Sequence, residues 1–535
     1  MLRKTRVLIA AAVLTLMSLL FLDFTGTLHP WLGWLARIQL VPALLATKVG
    51  VAVAVPVVLV VAAVLFGRIY CSLVCPLGIM QDCISRVSGW RRGGRRGPDR
   101  FRHKKPIPWL RYVMLVLFAL GGSAAVSLLD PYSAFGRIAA NLFAPLYRLG
   151  NNLLAWLAEA FGGYAFYTTD VRVGGWPTFT VAALTFVLVG TLAWRGGRTW
   201  CNTACPVGTL LGLFSRLSVF RTAIDAGKCT NCGLCEKGCK ASCIDTKNMA
   251  ADQSRCVRCF NCIGNCKQGG FGYTFAFGKK RAEKPGTDQA DDTRRSVIAL
   301  LWSIAAANVL KAQRPPQSSQ QSPPQQYQPL QAEGGLAKLT PKKIPARNVP
   351  IVPPGAQGLH NMENNCSACQ LCVSSCPNGV LRPSNRPAAF MQPEMSFEQG
   401  FCRPECVECS LLCPSNVIRK VTRAEKACIS IGYVVWDKEM CLVNADNVPC
   451  TSCERRCPTE AIKLADRDPG VANSLKVPVI DNDLCVGCGA CEYHCPVRPY
   501  SAIRVEGRQQ HHTIEFEEPN GHGKRKRKRK QQQKQ

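Results

Sequence analysis

The chain has 535 residues, a formal net charge of +31, 31 cysteines and 47% hydrophobic residues. That length implies about two to four domains and is too great for a short disulfide-stapled secreted module. The positive charge has two readings, nucleic-acid binding or the Lys/Arg-rich cytoplasmic loops of a membrane protein, and the distribution along the chain decides between them.

Four apolar stretches come first, at 7–22, 49–66, 109–129 and 178–194. Each approaches the ~20 residues that a spanning helix needs. The loop 86–108 holds nine Lys/Arg against one acid, Asp99, whereas 130–177 holds three basic and three acidic residues. The positive-inside rule therefore places 86–108 and the N-terminus in the cytoplasm and returns the chain there after residue 194. This half is also an internal repeat. RIYCSLVCPLGIMQDCISRVS from Arg68 aligns without gaps on RTWCNTACPVGTLLGLFSRLS from Arg198. Both units carry a CxxxCP motif, and Pro76 and Pro206 suit the first turn of a following helix, where no amide donor is needed. Cys71, Cys75, Cys201 and Cys205 reach the same membrane face, enough thiolates for one further, seventh, iron–sulfur centre; redox-active or structural thiols are the other reading.

Next come CTNCGLCEKGC (Cys229, Cys232, Cys235, Cys239) and CVRCFNCIGNC (Cys256, Cys259, Cys262, Cys266). In a doubled CxxCxxCxxxC pattern three cysteines of each run bind one [4Fe–4S] cluster and the fourth crosses to the other. The sets are then Cys229, Cys232, Cys235 with Cys266, and Cys256, Cys259, Cys262 with Cys239. A zinc ribbon would use CxxC pairs instead. Lys240 and Lys267 stand where ferredoxins usually have Pro, and a positive charge there raises the reduction potential.

Arg294-Arg295, a short apolar run and a polar exit then have the look of a twin-arginine export signal, at 292–312. A stretch rich in Gln, Pro and Ser reads as a tether. Beyond it lie four more groups: Cys366, Cys369, Cys372, Cys376; Cys402, Cys406, Cys409, Cys413; Cys441, Cys450, Cys453, Cys457; and Cys485, Cys488, Cys491, Cys495. Each final cysteine precedes Pro. These imply four more [4Fe–4S] clusters, six in all, with fourth ligands exchanged either between neighbouring motifs or first with fourth and second with third. Cys83, Cys243 and Cys428 are left over and read as structural thiols. The chain has no CxxCH for haem, no GxGxxG opening a βαβ unit for NAD and no SGAT-like flavin site.

On the CxxxCP pair and the doubled ferredoxin motif, residues 1 to about 275 resemble the membrane polyferredoxin of periplasmic nitrate reductase systems (NapH type). On the four later groups, with the unusual Cys441-x8-Cys450 spacing, residues from about 292 to 505 resemble its exported four-cluster partner (NapG type); the methylamine-utilisation ferredoxins share these motifs. The resemblance implies a quinol-dehydrogenase-type electron-transfer component that oxidises membrane quinol and passes electrons to a periplasmic partner, a cytochrome c or terminal reductase. Asp23, His29 and Asp130 are the candidate proton acceptors at the quinol site. A donor or maturation factor for an exported metalloenzyme, fed from cytoplasmic donors, is the alternative.

The expected fold is an α-helical membrane domain of four spans plus a fifth signal or anchor helix, with two α+β bacterial-type ferredoxin modules. Its parts are 1–220 (membrane), 221–275 (cytoplasmic two-cluster ferredoxin), 292–312 (signal or anchor), 313–360 (linker), 361–508 (exported four-cluster ferredoxin) and 509–535 (basic tail). The expected location is the bacterial cytoplasmic membrane, with the later module periplasmic. That places the KRKRKRK tail outside the cytoplasm, so no nucleic-acid partner is expected; the tail reads as solvated or as docking to an acidic redox partner.

Overall fold

The computed structural model describes residues 2–46, 50–91, 101, 103–163, 165–171, 174–276, 340–471 and 473–515. The twin-arginine segment, most of the tether and the KRKRKRK tail lie outside the described residues.

Helices dominate the first half. Leu2–Leu22 and Trp176–Gly196, 21 residues each, are long and apolar enough to cross a membrane. The other two apolar stretches do not give full-length spans among the described residues. Gly50–Phe66 is a 17-residue helix with Pro56 inside it. The stretch 109–129 divides into Pro108–Leu120 and Gly122–Leu129. The break falls at Gly121, where a Cβ would lie 2.4 Å from the Leu117 carbonyl oxygen, and at Gly122, whose φ is +67°. The two long helices are not buried core helices: Leu8, Leu184, Val187 and Leu188 point outward, exposed.

The strands form only two-stranded antiparallel sheets. Phe220–Ile224 pairs with Phe271–Phe275 and closes the first cysteine-rich module on itself. In the later module Ile429–Trp436 pairs with Ile503–Thr513, and Ile462–Asp466 pairs with Lys476–Ile480. That module has its own apolar core, in which Phe397, Val505 and Ile351 are fully enclosed.

The later module is larger than the sequence reading allows. Residues 340–360 were expected as linker, yet Ile351, Val352 and Ala356 are buried. Arg347 forms an ion pair of 2.6 Å with the buried Glu492. At the other end the strand runs to Thr513 and Ile514 is buried, so the ordered module extends past 508.

The helix Leu2–Leu22 joins the two modules. Near its start, Arg6 pairs with Asp82, which also holds Lys240 of the first module at 3.4 Å. At its far end Phe21 packs on Tyr132 and Phe135. The helix that carries these two rings, Pro131–Ile138, touches the later module, since Ser133 Oγ donates to the Ser367 carbonyl at 2.6 Å. A helix of 21 residues is about 30 Å long, the apolar thickness of a bilayer. The two cysteine-rich modules therefore sit at opposite ends of a bilayer-length helical unit.

Candidate iron–sulfur sites

The CxxCxxC loops share one backbone course. The residue before the middle cysteine has positive φ in four loops, at Asn231, Arg258, Ala368 and Gly487. So does the residue after it, at Gly233, Phe260, Gln370 and Gly489. A left-handed conformation is costly for a residue with a Cβ, and its recurrence at the same steps marks a loop shaped for a purpose. The wrap aims amide hydrogens at sulfur: Ala368 N donates to Cys366 Sγ and Gly487 N to Cys485 Sγ, both at 3.4 Å. Hydrogen bonds of this kind are what tune ligating sulfurs in iron–sulfur proteins.

The cysteines also surround voids instead of converging on a point. Among the described residues no three Cys, His or carboxylate groups come close enough to hold a single metal ion. One void is lined by Cys239, Cys256, Cys259 and Cys262, the set expected for one cluster. A second is lined by Cys457, Cys485, Cys488 and Cys491. Thiols that face a shared cavity fit a cluster, which spaces its ligands around itself, better than a zinc ion.

The structure places the fourth cysteine of each motif beside a neighbouring motif. Cys366, Cys369 and Cys372 lie in electrostatic range of Cys413, and Cys402, Cys406 and Cys409 lie in range of Cys376. Likewise Cys457 faces Cys485, Cys488 and Cys491, while Cys453 has Cys450 and Cys495 as neighbours. These neighbours are the ones that exchange between adjacent motifs, first with second and third with fourth, would require. Cys402 N bonds to the Cys488 carbonyl at 2.9 Å, so the two exchanged pairs touch.

The CxxxCP quartet is wholly interior, with Cys71, Cys75, Cys201 and Cys205 each at most 5% exposed. The helices Pro76–Arg91 and Pro206–Ser215 start immediately after the second cysteine of each pair. Cys205 caps its helix by accepting the Gly208 amide at 3.3 Å. Gln81 Nε2 reaches Cys201 Sγ at 3.4 Å. On one side the quartet adjoins the first module through Arg68, which donates to the Ser254 carbonyl at 3.0 Å, and Asn202, which donates to the Ala241 carbonyl at 3.0 Å. On the other, Tyr70 lies in range of Cys75 and Asp130, and Tyr132 in range of Asp130, Cys369 and Cys413. A single apolar core encloses Cys71, Cys75, Cys205, Cys239, Cys259 and Cys369.

The three candidate quinol-site residues divide. Asp23 and His29 approach each other, Oδ2 to Nε2 at 3.9 Å, and His29 Nδ1 lies 3.1 Å from Glu408 of the later module. The Asp23 carboxylate is mostly engaged in its own loop, accepting from Thr25, Gly26 and Leu28 amides. Asp130 caps the helix Pro131–Ile138, accepting from the Tyr132 and Ser133 amides.

Two residues have contacts beyond those the sequence reading gives them. Cys243, read as a structural thiol, lies 3.5 Å from Cys239, sulfur to sulfur, and adjoins Cys256. The CKASC spacing after the first run was the available signal. Lys240, expected to act on cluster potential, also serves as a tie between units through Asp82.

Loops of this course around cysteine-lined voids define an iron–sulfur protein of ferredoxin type. Comparison with known proteins narrows the class. A 4Fe-4S binding domain model matches residues 49–96 and 176–224, the two CxxxCP units, and a 4Fe-4S dicluster domain model matches 448–498. The methylamine utilization ferredoxin-type protein MauM of Methylobacillus flagellatus is 34% identical over 183 residues, 33% of this chain and 75% of the relative. The ferredoxin-type protein NapG of Escherichia coli is 30% identical over 184 residues, 33% of this chain and 78% of the relative. An uncharacterised protein of Methanocaldococcus jannaschii is 26% identical over 262 residues, 49% of this chain and 84% of the relative. No solved structure matches. The chain belongs to the NapG/MauM family of ferredoxin-type proteins, and its chemistry is iron–sulfur electron transfer.

Proposed function

We propose that this protein is a membrane-spanning polyferredoxin that moves electrons between the two faces of a bacterial cytoplasmic membrane. The observation that carries the reading is the placement of the buried quartet between two cysteine-rich modules at opposite ends of a bilayer-length helix. Exposed Trp31, Trp34, Trp156 and Trp176 on the helical unit support it, because such rings favour the headgroup level of a bilayer. [4Fe–4S] clusters, when bound, supply one-electron carriers at the six ferredoxin sets. The chain's part is to hold thiols in series. Cys256, Cys259, Cys262 and Cys239 adjoin the quartet, the quartet adjoins Cys366, Cys369, Cys372 and Cys413, and the remaining outer sets follow.

Membrane quinol is the proposed donor and a periplasmic redox partner the acceptor, with Asp23, His29 and Asp130 as proton-accepting candidates. A second reading is favoured by the quartet itself: electrons enter from a cytoplasmic donor at the first module and leave outside, with quinol bypassed. The test is anaerobic EPR on purified protein before and after addition of a reduced quinol analogue. Cluster signals that grow on quinol addition support quinol entry. Signals that grow only with a cytoplasmic reductant move the donor to the inner face and overturn it.

A further inference from the structure

The repeated Arg and Gly of the two CxxxCP units have a shared purpose. Arg68, from the first unit, crosses to the second and donates through Nη2 to the Cys201 carbonyl at 3.0 Å. Arg198, from the second, crosses to the first and donates through Nη1 to the Cys71 carbonyl at 2.6 Å. The glycines make room for these arms. A Cβ at Gly78 would stand 2.5 Å from Arg198 Nη1, and one at Gly208 would stand 2.6 Å from Arg68 Nη2.

Both guanidinium groups are fully buried, and burying a charge is very costly without a counter-charge. Arg198 has Asp82 at 2.8 Å, but Asp82 is also claimed by Arg6 and Lys240. Among the described residues Arg68 has no carboxylate partner: its acceptors are Asn202 Oδ1, the Ser254 and Cys201 carbonyls, and Cys71 Sγ at 3.9 Å. Arg68 Nε and Arg198 Nη2 are enclosed without an acceptor among the described residues. Around Asp82 three cations face one anion, which leaves two surplus positive charges there and a third on Arg68. Lys240 also lies in range of Cys259 of the neighbouring set; among the described residues the thiols in range of Arg198 include Cys71 and Cys201, and Cys201 is in range of Arg68 as well.

We infer that Arg68 and Arg198 are charge-compensating residues for a four-thiolate iron–sulfur centre held by Cys71, Cys75, Cys201 and Cys205. This rests on the reading of the quartet as a cluster site and adds what stabilises it. Four thiolates on a [4Fe–4S]2+ core would carry a net charge of about −2, set against the surplus positive charge of Arg68 and of the cluster around Asp82. Two disulfides or four neutral thiols would leave Arg68 without a counter-charge and Arg198 with only its share of Asp82.

Iron and acid-labile sulfide per chain, with EPR-monitored redox titration, separate the two claims. The wild type should hold about 28 iron atoms and Cys75→Ala about 24. A wild type at about 24, unchanged by Cys75→Ala, refutes the quartet as a cluster site whatever the arginines do. Given the loss in Cys75→Ala, Arg68→Gln should lose the same four irons, or keep them at a lower reduction potential, while the other six cluster signals persist. Arg68→Lys, which keeps the charge and guards against a mere folding defect, should retain the iron. Full iron and an unmoved potential in Arg68→Gln, or equal iron loss in Arg68→Lys, overturns the compensation claim.

Discussion

Gly208→Ala isolates the crossed-arginine contact without touching a thiol or a charge. The new Cβ would sit 2.3 Å from the Cys201 carbonyl oxygen and 2.6 Å from Arg68 Nη2. The carbonyl is backbone within the short helix Thr199–Thr203 and cannot swing aside, so the helix start or the guanidinium must move. Overpacking of this kind costs about 1–3 kcal/mol. Displacing Arg68 from the carbonyl forfeits a charged hydrogen bond of about 1.5–3 kcal/mol. Alanine returns roughly 1 kcal/mol of helix propensity. The net is a destabilisation of roughly 1.5–5 kcal/mol. Gly150→Ala is the control, since its Cβ meets nothing within 4 Å in the helix Ala144–Ala160. Thermal ramps of detergent-solubilised protein, followed by visible cluster absorbance and helical circular dichroism, should show Gly208→Ala melting well below wild type and Gly150→Ala at or slightly above it. Equal melting of Gly208→Ala and wild type would refute the packing argument.

Three further outcomes follow from buried charges and a buried ring. Asp82→Asn removes the shared anion of Arg6, Arg198 and Lys240; breaking a buried pair costs about 3–5 kcal/mol, and limited proteolysis should then cut the 221–275 module first. Arg347→Ala strands the Glu492 carboxylate, which is left with the Val505 amide at 2.8 Å, and should lower the melting of the later module by a comparable about 3–5 kcal/mol. His511 is half-buried, with both ring nitrogens shielded and unpartnered among the described residues, and burial pushes its pKa down from 6.5 to about 4. The unfolded chain then binds a proton that the folded chain refuses as pH falls from 6.5 to 4, so stability is full above that window and drops by roughly 3 kcal/mol across it. His511→Phe should flatten that part of an acid-unfolding profile; an unchanged slope would show that other groups set it.

Much of this was legible because the cysteine spacing is chemistry written as counting. The ferredoxin sets follow from CxxCxxC runs, and the structure shows their loops repeating one backbone course. The helix starts at Pro76 and Pro206 were equally readable. Spans were less so, since hydropathy passes smoothly over 109–129 while Gly121 and Gly122 break the helix there. Residues 340–360 misled because Pro-rich extended chain looks like a tether, yet Arg347 and Ile351 fix it to a neighbouring sheet. The pairing of fourth cysteines between motifs and the crossing of Arg68 and Arg198 depend on contacts between residues far apart in sequence, which spacing does not encode.

The crossed arms also constrain how this helical unit can change over generations. Each repeat supplies the guanidinium that the other receives, together with the glycine that admits it. A single copy of the unit facing its own twin across a twofold axis would make both contacts from one sequence, so the arrangement needs nothing beyond a duplicated and fused half. Once fused, the halves stay tied: a change of arginine on one side or of glycine on the other disturbs the same join.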